Sequence, residues 1–593
     1  MLIDIKLTPE ESASEEKILS HAASAIHVKE SDIFSMRIVR RSVDARQRQI
    51  WVLLTVDVAL SAEEATFPAY PKPVFQDVRD AKKQVTIVGA GPAGLFAALT
   101  LLEHGIRPII LERGKPAQDR KRDIALLNRN EGICEESNYC FGEGGAGTFS
   151  DGKLFSRSKK RGDMHRVLEL FHFFGAVDSV LYDTHAHIGS DRLPTIIKRM
   201  RETIIEAGGE IHFNEQVTDI IIEEREHTLS VTMAGNSTFT SDALVLAIGH
   251  SAHDTYRLLA SKGIVLEPKG FAMGVRVEHP QSLINSLMYH IDEVRSTACA
   301  MYEVRRNKEQ GTRNKEQGTR NKEQRTSTKV LLDERNSIVD ILGNAAYNLR
   351  TQVDGRGVYS FCMCPGGHIV PAGSSKESIV VNGMSASHRN SPFANSGIVV
   401  EIPESPKTQG SPESTEAALE RLDMLERIEH RCWEEGALAA GKPHSAIAPA
   451  QRLRDFVEGK ASKDLPATSY LPGCIPSRLD LWLPQEISTR LRQGFRDFDR
   501  KYPGFLTNDA VVIGVESRSS SPIRIARDSD TLQAKYEVRR KYQVPSDEVP
   551  SDDGRAALIY PCGEGAGYAG GITSSALDGI KIAEKIAQTL AEK

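Results

Sequence analysis

VTIVGAGPAGLFAAL, Val85–Leu99, reads as a short apolar strand, a glycine turn and the first turns of a helix. Small residues at Gly89, Gly91 and Gly94 let the backbone approach a pyrophosphate, and the helix start offers free N–H groups to it. Pro92 suits a first helical turn, where its missing N–H costs little. Leu95, Leu99 and Leu102 give that helix an apolar face. RPIILER then supplies a second strand ending near Glu112, eighteen residues after Gly94, where an acid can accept hydrogen bonds from ribose hydroxyls. An acid there favours an unphosphorylated ribose, hence FAD or NAD over NADP.

A second stretch, YPCGEGAGYAGGITSSALDGIK (Tyr560–Lys581), repeats the pattern almost at the carboxyl end. A strand (AALIY, Ala556–Tyr560) precedes it and a helix (Ile572 to about Ala591) follows, but no second strand or ribose acid comes after. An isolated strand–turn–helix must join an existing sheet, and the available sheet starts at Val85. The two glycine turns are therefore expected to be two walls of one site. A ligand touching both is long, as FAD is, with the second helix N-terminus toward the flavin. A third glycine run, Gly142–Gly147, follows no buried strand and opens no helix, so it is expected to be a loop approaching the cofactor.

The surroundings bound the class. The chain has 593 residues, formal charge −5 and eight cysteines without framework spacing. It has room for several domains, no general pull toward nucleic acid or anionic membranes, and no disulfide scaffold. MLIDIKLTPEESASEEK lacks an apolar targeting core, and IWVLLTVDVAL is too short to span a bilayer, so a cytoplasmic protein is expected. Residues 1–80 read as a β-α-β-β unit ending at the proline-bearing FPAYPKPVF. Residues 84–265, completed by 553–593, read as a discontinuous Rossmann-like α/β domain, with an α+β substrate domain, 266–552, inserted. Within the insert, 307–327 is built on a seven-residue unit with no apolar position. It can bury no seam and is expected to be a disordered loop. Leu419, Leu422, Leu425, Ile428 and Cys432 recur at helical spacing and are expected to face a core.

Several motifs recur together: VGAGPAGL with ILERG, FGEGGAGTFSDGKL, THAHIGSDRL, LAIGHSAHDT, FAMGVRVEHPQ, YSFCMCPGGHIV, VNGMSASHRNSPFANSG, IAPAQRLRDF, GVESRSSSPIRI and CGEGAGYAGGITSSALDGIK. In that order they resemble the bacterial FAD-dependent dehydrogenases labelled NAD(FAD)-utilising dehydrogenases, over nearly the whole chain, VRRSVDAR near the start included. The resemblance implies a glutathione-reductase-type FAD fold and a dehydrogenase or reductase passing hydride through flavin N5. It places Gly89, Gly91, Gly94 and Glu112 at the ADP moiety, with Pro92, Ala93 and Arg113 beside them. Gly144, Gly145, Gly147, Thr148 and Ser150 would lie along the flavin, and Glu564 by the ribityl chain. Gly570, Gly571 and Ile572 would lie near the ring, with Gly249 and Gly563 completing the set. The 307–327 repeat is foreign to the family's ordinary pattern.

Beyond the flavin the signals thin out. No second β-α-β nucleotide unit remains after 265, so NAD(P)H would dock transiently, or a substrate would itself be the hydride donor. Cys362 and Cys364 could form a redox pair, although C-x-C is a poor dithiol spacing. Arg276 and His279 in GVRVEHP (with Glu278 between them), and Arg518 and Arg524, suit recognition of an anionic small-molecule substrate, or else structural salt bridges. His250 and His253 follow the returning strand LVLAIG and belong near the cofactor or in a structural role. His185 and His187 have no further recognisable metal ligands, so no metal is expected, and Asp191 is expected to cap the helix that follows. MRIVRRSVDARQR carries five arginines in thirteen residues. That leaves a flavin-containing, RNA-associated binding protein as the alternative to an enzyme, without the interleaved aromatics that base stacking needs.

Overall fold

The structure, a computed structural model, describes residues 1–65, 72–155, 162–223, 228–291, 337–404, 414–536 and 558–592. The 307–327 repeat lies outside them.

Residues 2–59 alternate apolar and polar positions and form a three-stranded antiparallel sheet. Trp51–Ala59 lies between Leu2–Leu7 and Ser35–Asp44, and the Glu15–Ala25 helix follows the first strand. Leu7, Val52, Leu54, Val56 and Val58 close a small core of their own against Ile18 and Ala22.

The glycine-turn segment builds a five-stranded sheet whose members all run parallel. Its order is Ile559–Pro561, Ala243–Leu246, Gln84–Val88, Arg107–Glu112 and Glu210–Phe213. Such a sheet is buried on both faces, which explains the unbroken apolar runs VTIV and ALVL. The carboxyl-terminal strand joins at the edge, with Leu244 opposite Ile559. The Pro92–Glu103 and Ile572–Ala591 helices pack on each other through the close approach of Gly579 to Ala93. Leu266, Ile523, Ile525, Leu532 and Ala534 pack into this same core, although they fall within 266–552.

A seven-stranded sheet carries a second core. Its order is Arg350–Val353, Arg356–Cys364, Phe393–Ile402, Phe271–Pro280, Val511–Glu516, Ala448–Arg452 and Cys474–Pro476, antiparallel except for the last pair. The Gln485–Lys501 helix supplies Ile487, Leu491, Phe495 and Phe498 to that core. The Ser414–Trp433 helix buries Leu422, Leu425, Ile428 and Cys432, as their spacing requires, with Leu419 partly buried. Among the described residues, no helix is long and apolar enough to cross a membrane.

Candidate functional site

The first glycine turn is shaped by backbone contact. A Cβ on Gly89 would stand 2.4 Å from the Ala247 carbonyl oxygen, at a φ of +105° that disfavours other residues. One on Gly94 would stand 2.0 Å from the Gly89 oxygen. Gly91 differs: nothing lies within 4 Å of where its Cβ would be. It is the N-cap of the Pro92–Glu103 helix and offers no side-chain cap to the first-turn N–H groups.

The second turn repeats this division. Gly563 would bring a Cβ within 2.7 Å of that of Ala93, which ties it to the first helix. Its N–H donates to Asp578 at 2.8 Å, and Asp578 is held in a two-pronged ion pair by Arg527. Gly570 and Gly571 face open space, and Gly571 starts the Ile572–Ala591 helix without a side-chain cap. Gly249, at the end of the returning strand, also faces open space, while its backbone is 2.4 Å from where a Cβ on Gly565 would stand. Thus Gly91, Gly249, Gly570 and Gly571 border room that none of the described residues fills.

The third glycine run closes the gap between the two turns. Gly144 donates its N–H to the Ala90 oxygen at 2.8 Å. A Cβ on Gly145 would stand 3.3 Å from Gly91 Cα, and one on Gly147 would stand 3.3 Å from the Ile572 side chain. Thr148 and Ser150 turn inward, their hydroxyls donating to the Glu143 and Gly147 oxygens.

Sequence reasoning missed the residue that holds this loop. Arg120 is fully buried and donates to the Asn138 oxygen (2.7 Å), the Glu143 oxygen (2.6 Å), the Gly145 oxygen (3.1 Å) and Thr148 Oγ1 (3.1 Å). Five donors in a rigid fork can satisfy a curled set of carbonyls that no other side chain could. Burial lowers its pKa to about 10. Its partners lie 18 to 28 residues away, and nothing local in the helical sequence AQDRKRDIALLN marks it.

Glu112 is more occupied than a free ribose acceptor. It takes the N–H groups of Gly114 and Gly142 on one oxygen and of Ala90 on the other, each at 2.9 Å. With two lone pairs per oxygen, one acceptor position is left for a ribose hydroxyl. Arg113 bridges Glu136 and Asp254, its guanidinium 4.1 Å from the Phe141 ring centre. Glu564 is half-buried, burial raises its carboxyl to about 7, and His250 Nδ1 lies 3.7 Å away. Burial, with Arg518 nearby, lowers His250 to about 4. His253 bonds Glu426 at 2.9 Å.

The expected anion-recognising residues do not converge. Arg276 is buried in the seven-stranded sheet, bonded to Glu516 (2.7 Å), Asn395 (2.9 Å), Asn382 (3.1 Å) and the Cys362 oxygen (2.7 Å). His279 is a core histidine, bonded to the Phe505 oxygen and lowered to about 4 by burial. Arg518 is buried in a two-pronged pair with Glu429, and Arg524 sits at the surface near Glu267 and Glu404. The three arginines are structural cations whose partners are already in place, and His279 is a neutral core imidazole.

Cys362 and Cys364 lie in the strand before the Pro365 turn, the first exposed and the second buried. His187 bonds the Ser387 oxygen and the His185 ring packs at a tilt against Phe155. Asp191 does not cap the next helix: Arg192 is the N-cap, and Asp191 accepts from Ser387 N and Oγ, both at 2.7 Å. Pairing across to a distant loop satisfies that carboxylate better than the local cap does. In the amino-terminal sheet, Arg37, Arg41 and Arg46 face Asp57, Asp183 and Asp44. Arg41 also exchanges backbone hydrogen bonds with Tyr182 and Thr184, so this strand docks on the glycine-turn part of the molecule.

Comparison with known proteins agrees with the cofactor reading. Residues 82–129 match the FAD binding domain, residues 322–519 the C-terminal domain of FAD-dependent proteins, and residues 1–59 a domain of unknown function. An uncharacterized protein of Clostridium beijerinckii is 32% identical over 606 residues, covering 98% of this chain and 97% of its own. Among solved structures the chain is similar to CtdE in complex with FAD (12% identity, 85% of this chain and 84% of that one, TM-score 0.27). It is similar also to the tetracycline destructase Tet(55) (12% identity, 85% and 81%, TM-score 0.31). TM-scores of this size establish no shared mechanism. The open glycines and two uncapped helix starts fit the group that the matched domains bind. FAD is the cofactor, and the chain belongs to one family of FAD-dependent proteins with its Clostridium beijerinckii relative.

Proposed function

We propose that the protein is an FAD-dependent oxidoreductase, a dehydrogenase or reductase, acting on a small organic substrate. The observation that carries this is the pairing of two glycine turns on one parallel sheet, with open space beside Gly91 in the first and beside Gly571 in the second. When bound, FAD supplies reversible hydride transfer at N5. The chain's part is positional. The first-turn N–H groups after Gly91 would hold the pyrophosphate, and those after Gly571 would stabilise negative charge at the ring's N1–O2 edge. Glu564 would accept from ribityl hydroxyls, and Glu112 would contribute its one remaining acceptor position to the ribose.

In this reading, 84–265 with 553–593 forms the Rossmann-like cofactor domain of glutathione-reductase type, and 266–552 covers the substrate side. The five-stranded sheet is the one parallel nucleotide-type sheet among the described residues. That favours a nicotinamide that docks transiently, or a substrate that donates hydride itself.

Anaerobic addition of NADH, then NADPH, to the purified holoprotein tests this. Bleaching of the visible flavin band within seconds by either supports a reductase. Bleaching only by an organic metabolite supports a dehydrogenase. A flavin reducible by dithionite but by no nicotinamide or metabolite would count against an oxidoreductase.

A further inference from the structure

The segment Ser150–Leu154 leads from the flavin-side loop to the second helix start, where Thr573 Oγ1 donates to the Leu154 oxygen at 2.8 Å. Two residues on this segment were not singled out by sequence. Asp151 is buried and receives Arg389 through Nε (3.3 Å) and Nη2 (2.8 Å), with Lys153 Nζ 3.3 Å away. Lys153 also donates to the Met363 oxygen and lies 3.9 Å from Cys364 Sγ. On the other side of that sulfur, Arg276 Nη2 approaches to 3.7 Å.

Two features distinguish this cluster from a closed salt-bridge network. The first is charge: Lys153, Arg389 and Arg276 face two carboxylates, Asp151 and Glu516. One positive charge is left over in a half-closed setting. Arg389 Nη1 has no partner among the described residues. Lys153 keeps about a third of its side chain exposed (35%).

The second is strain. Most described non-glycine residues at positive φ are Asn, Asp or His, which tolerate it. Cys362 (+45°), Arg389 (+47°) and Leu532 are the exceptions, and two of the three meet here. Cys362 lies where the register breaks between Phe361 and Cys364. Both carbonyls are pinned: that of Cys362 by Arg276 Nη2 at 2.7 Å, that of Arg389 by Asn344 Nδ2 at 2.6 Å. Strain held in place by surrounding bonds gathers at sites that bind or react.

We infer that Lys153 and Arg389 form a carboxylate-binding subsite beside the flavin slot, with Asp151 as the buried anion that fixes both cations and Cys362 at its rim. The substrate is thus an organic acid, held by Lys153 as a point charge and by the free edge of Arg389. This rests on the flavin reading for its position, and on the charge excess for its ligand. Cations serving only to stabilise reduced flavin would share the chemistry, so the test must separate the two.

Cys362 supplies a reporter. FAD-loaded protein is alkylated with anionic iodoacetate and with neutral iodoacetamide at one pH, and the Cys362 peptide is quantified by mass spectrometry. The ratio of the two rates cancels the thiolate fraction and reads local attraction for a carboxylate. Relative to the same ratio on glutathione, the expected enrichment is about tenfold, the effect of one nearby unscreened charge. Lys153→Gln and Arg389→Gln should each remove most of it, and Lys153→Arg should keep it, with FAD content confirming that each variant is folded. No enrichment, or enrichment untouched by Lys153→Gln, overturns the subsite. So does a Lys153→Gln variant that loses reactivity of the flavin with sulfite while keeping the alkylation ratio, since the cation then serves the ring alone. A preparation with no flavin band fails the cofactor reading separately, while the alkylation ratio still decides the anion site.

Discussion

The Cβ that Gly579 lacks would stand 2.2 Å from the carbonyl oxygen of Ala93, so the carboxyl-terminal helix touches the first dinucleotide helix backbone to backbone. This contact holds together the helices that follow two glycine turns more than 450 residues apart. It separates two kinds of glycine: those that let protein meet protein, and those that leave room for a ligand.

Gly579→Ala should therefore lower stability by about 1–3 kcal/mol through overpacking, seen as a fall in melting temperature with or without FAD. Gly571→Ala should not: its φ of 164° is extended backbone that any residue adopts, and its Cβ meets nothing. It should leave the apoprotein's melting temperature within about 1 °C, an energy change of a few tenths of a kcal/mol, and weaken FAD binding about tenfold or more. Equal effects of the two substitutions on the apoprotein would count against this division.

Arg120→Met should remove donors from the buried oxygens of Asn138, Glu143 and Gly145. Each unmet acceptor costs about 1–3 kcal/mol, so a loss of at least about 3 kcal/mol in urea unfolding and a loss of bound FAD are expected. Arg120→Lys should recover only part, because one ammonium cannot span the same carbonyls.

How far the site was legible follows from how far apart its partners lie. The glycine spacing, Glu112 and the last helix could be read because a turn is specified by neighbours in sequence. Leu422, Leu425 and Ile428 were legible by period. Arg120, Asp151, Lys153 and Arg389 were not: the Arg389–Asp151 pair spans 238 residues, and no local pattern marks either partner. Sequence left Arg276 open between anion recognition and a structural salt bridge for the same reason, since its partner Glu516 lies 240 residues away. Asp191 looked like a cap because Ser387 could not be seen.

Removing one member of the buried Arg276–Glu516 pair leaves an uncompensated charge. Arg276→Met should cost about 3–5 kcal/mol, and Arg276→Met with Glu516→Leu should cost less than either single change. Urea denaturation of the three variants checks this; additive losses would show that the two residues are not coupled.

Glu278 is buried against Ser469, and burial raises its carboxyl to about 7. An acid whose folded pKa is raised holds its proton in the folded state through the window from about 4.5 to 7, where the unfolded chain has lost it. Its contribution is present below that window and falls as pH rises through it. His279, lowered to about 4, runs the other way between about 4 and 6.5, losing stability as pH falls. The difference between Glu278→Gln and the parent isolates the acid. The variant's relative stability should improve by roughly 3 kcal/mol from pH 4.5 to 7. A flat difference would show that Glu278 titrates normally.

The central claim is that two glycine turns make one cofactor site. The direct measurement is the number of FAD molecules released per chain on denaturing the purified protein, repeated for Gly91→Val and Gly571→Val after saturation with FAD. One FAD per chain is expected in the parent and little in either variant. Two dinucleotides per chain, or full occupancy surviving either substitution, would contradict it.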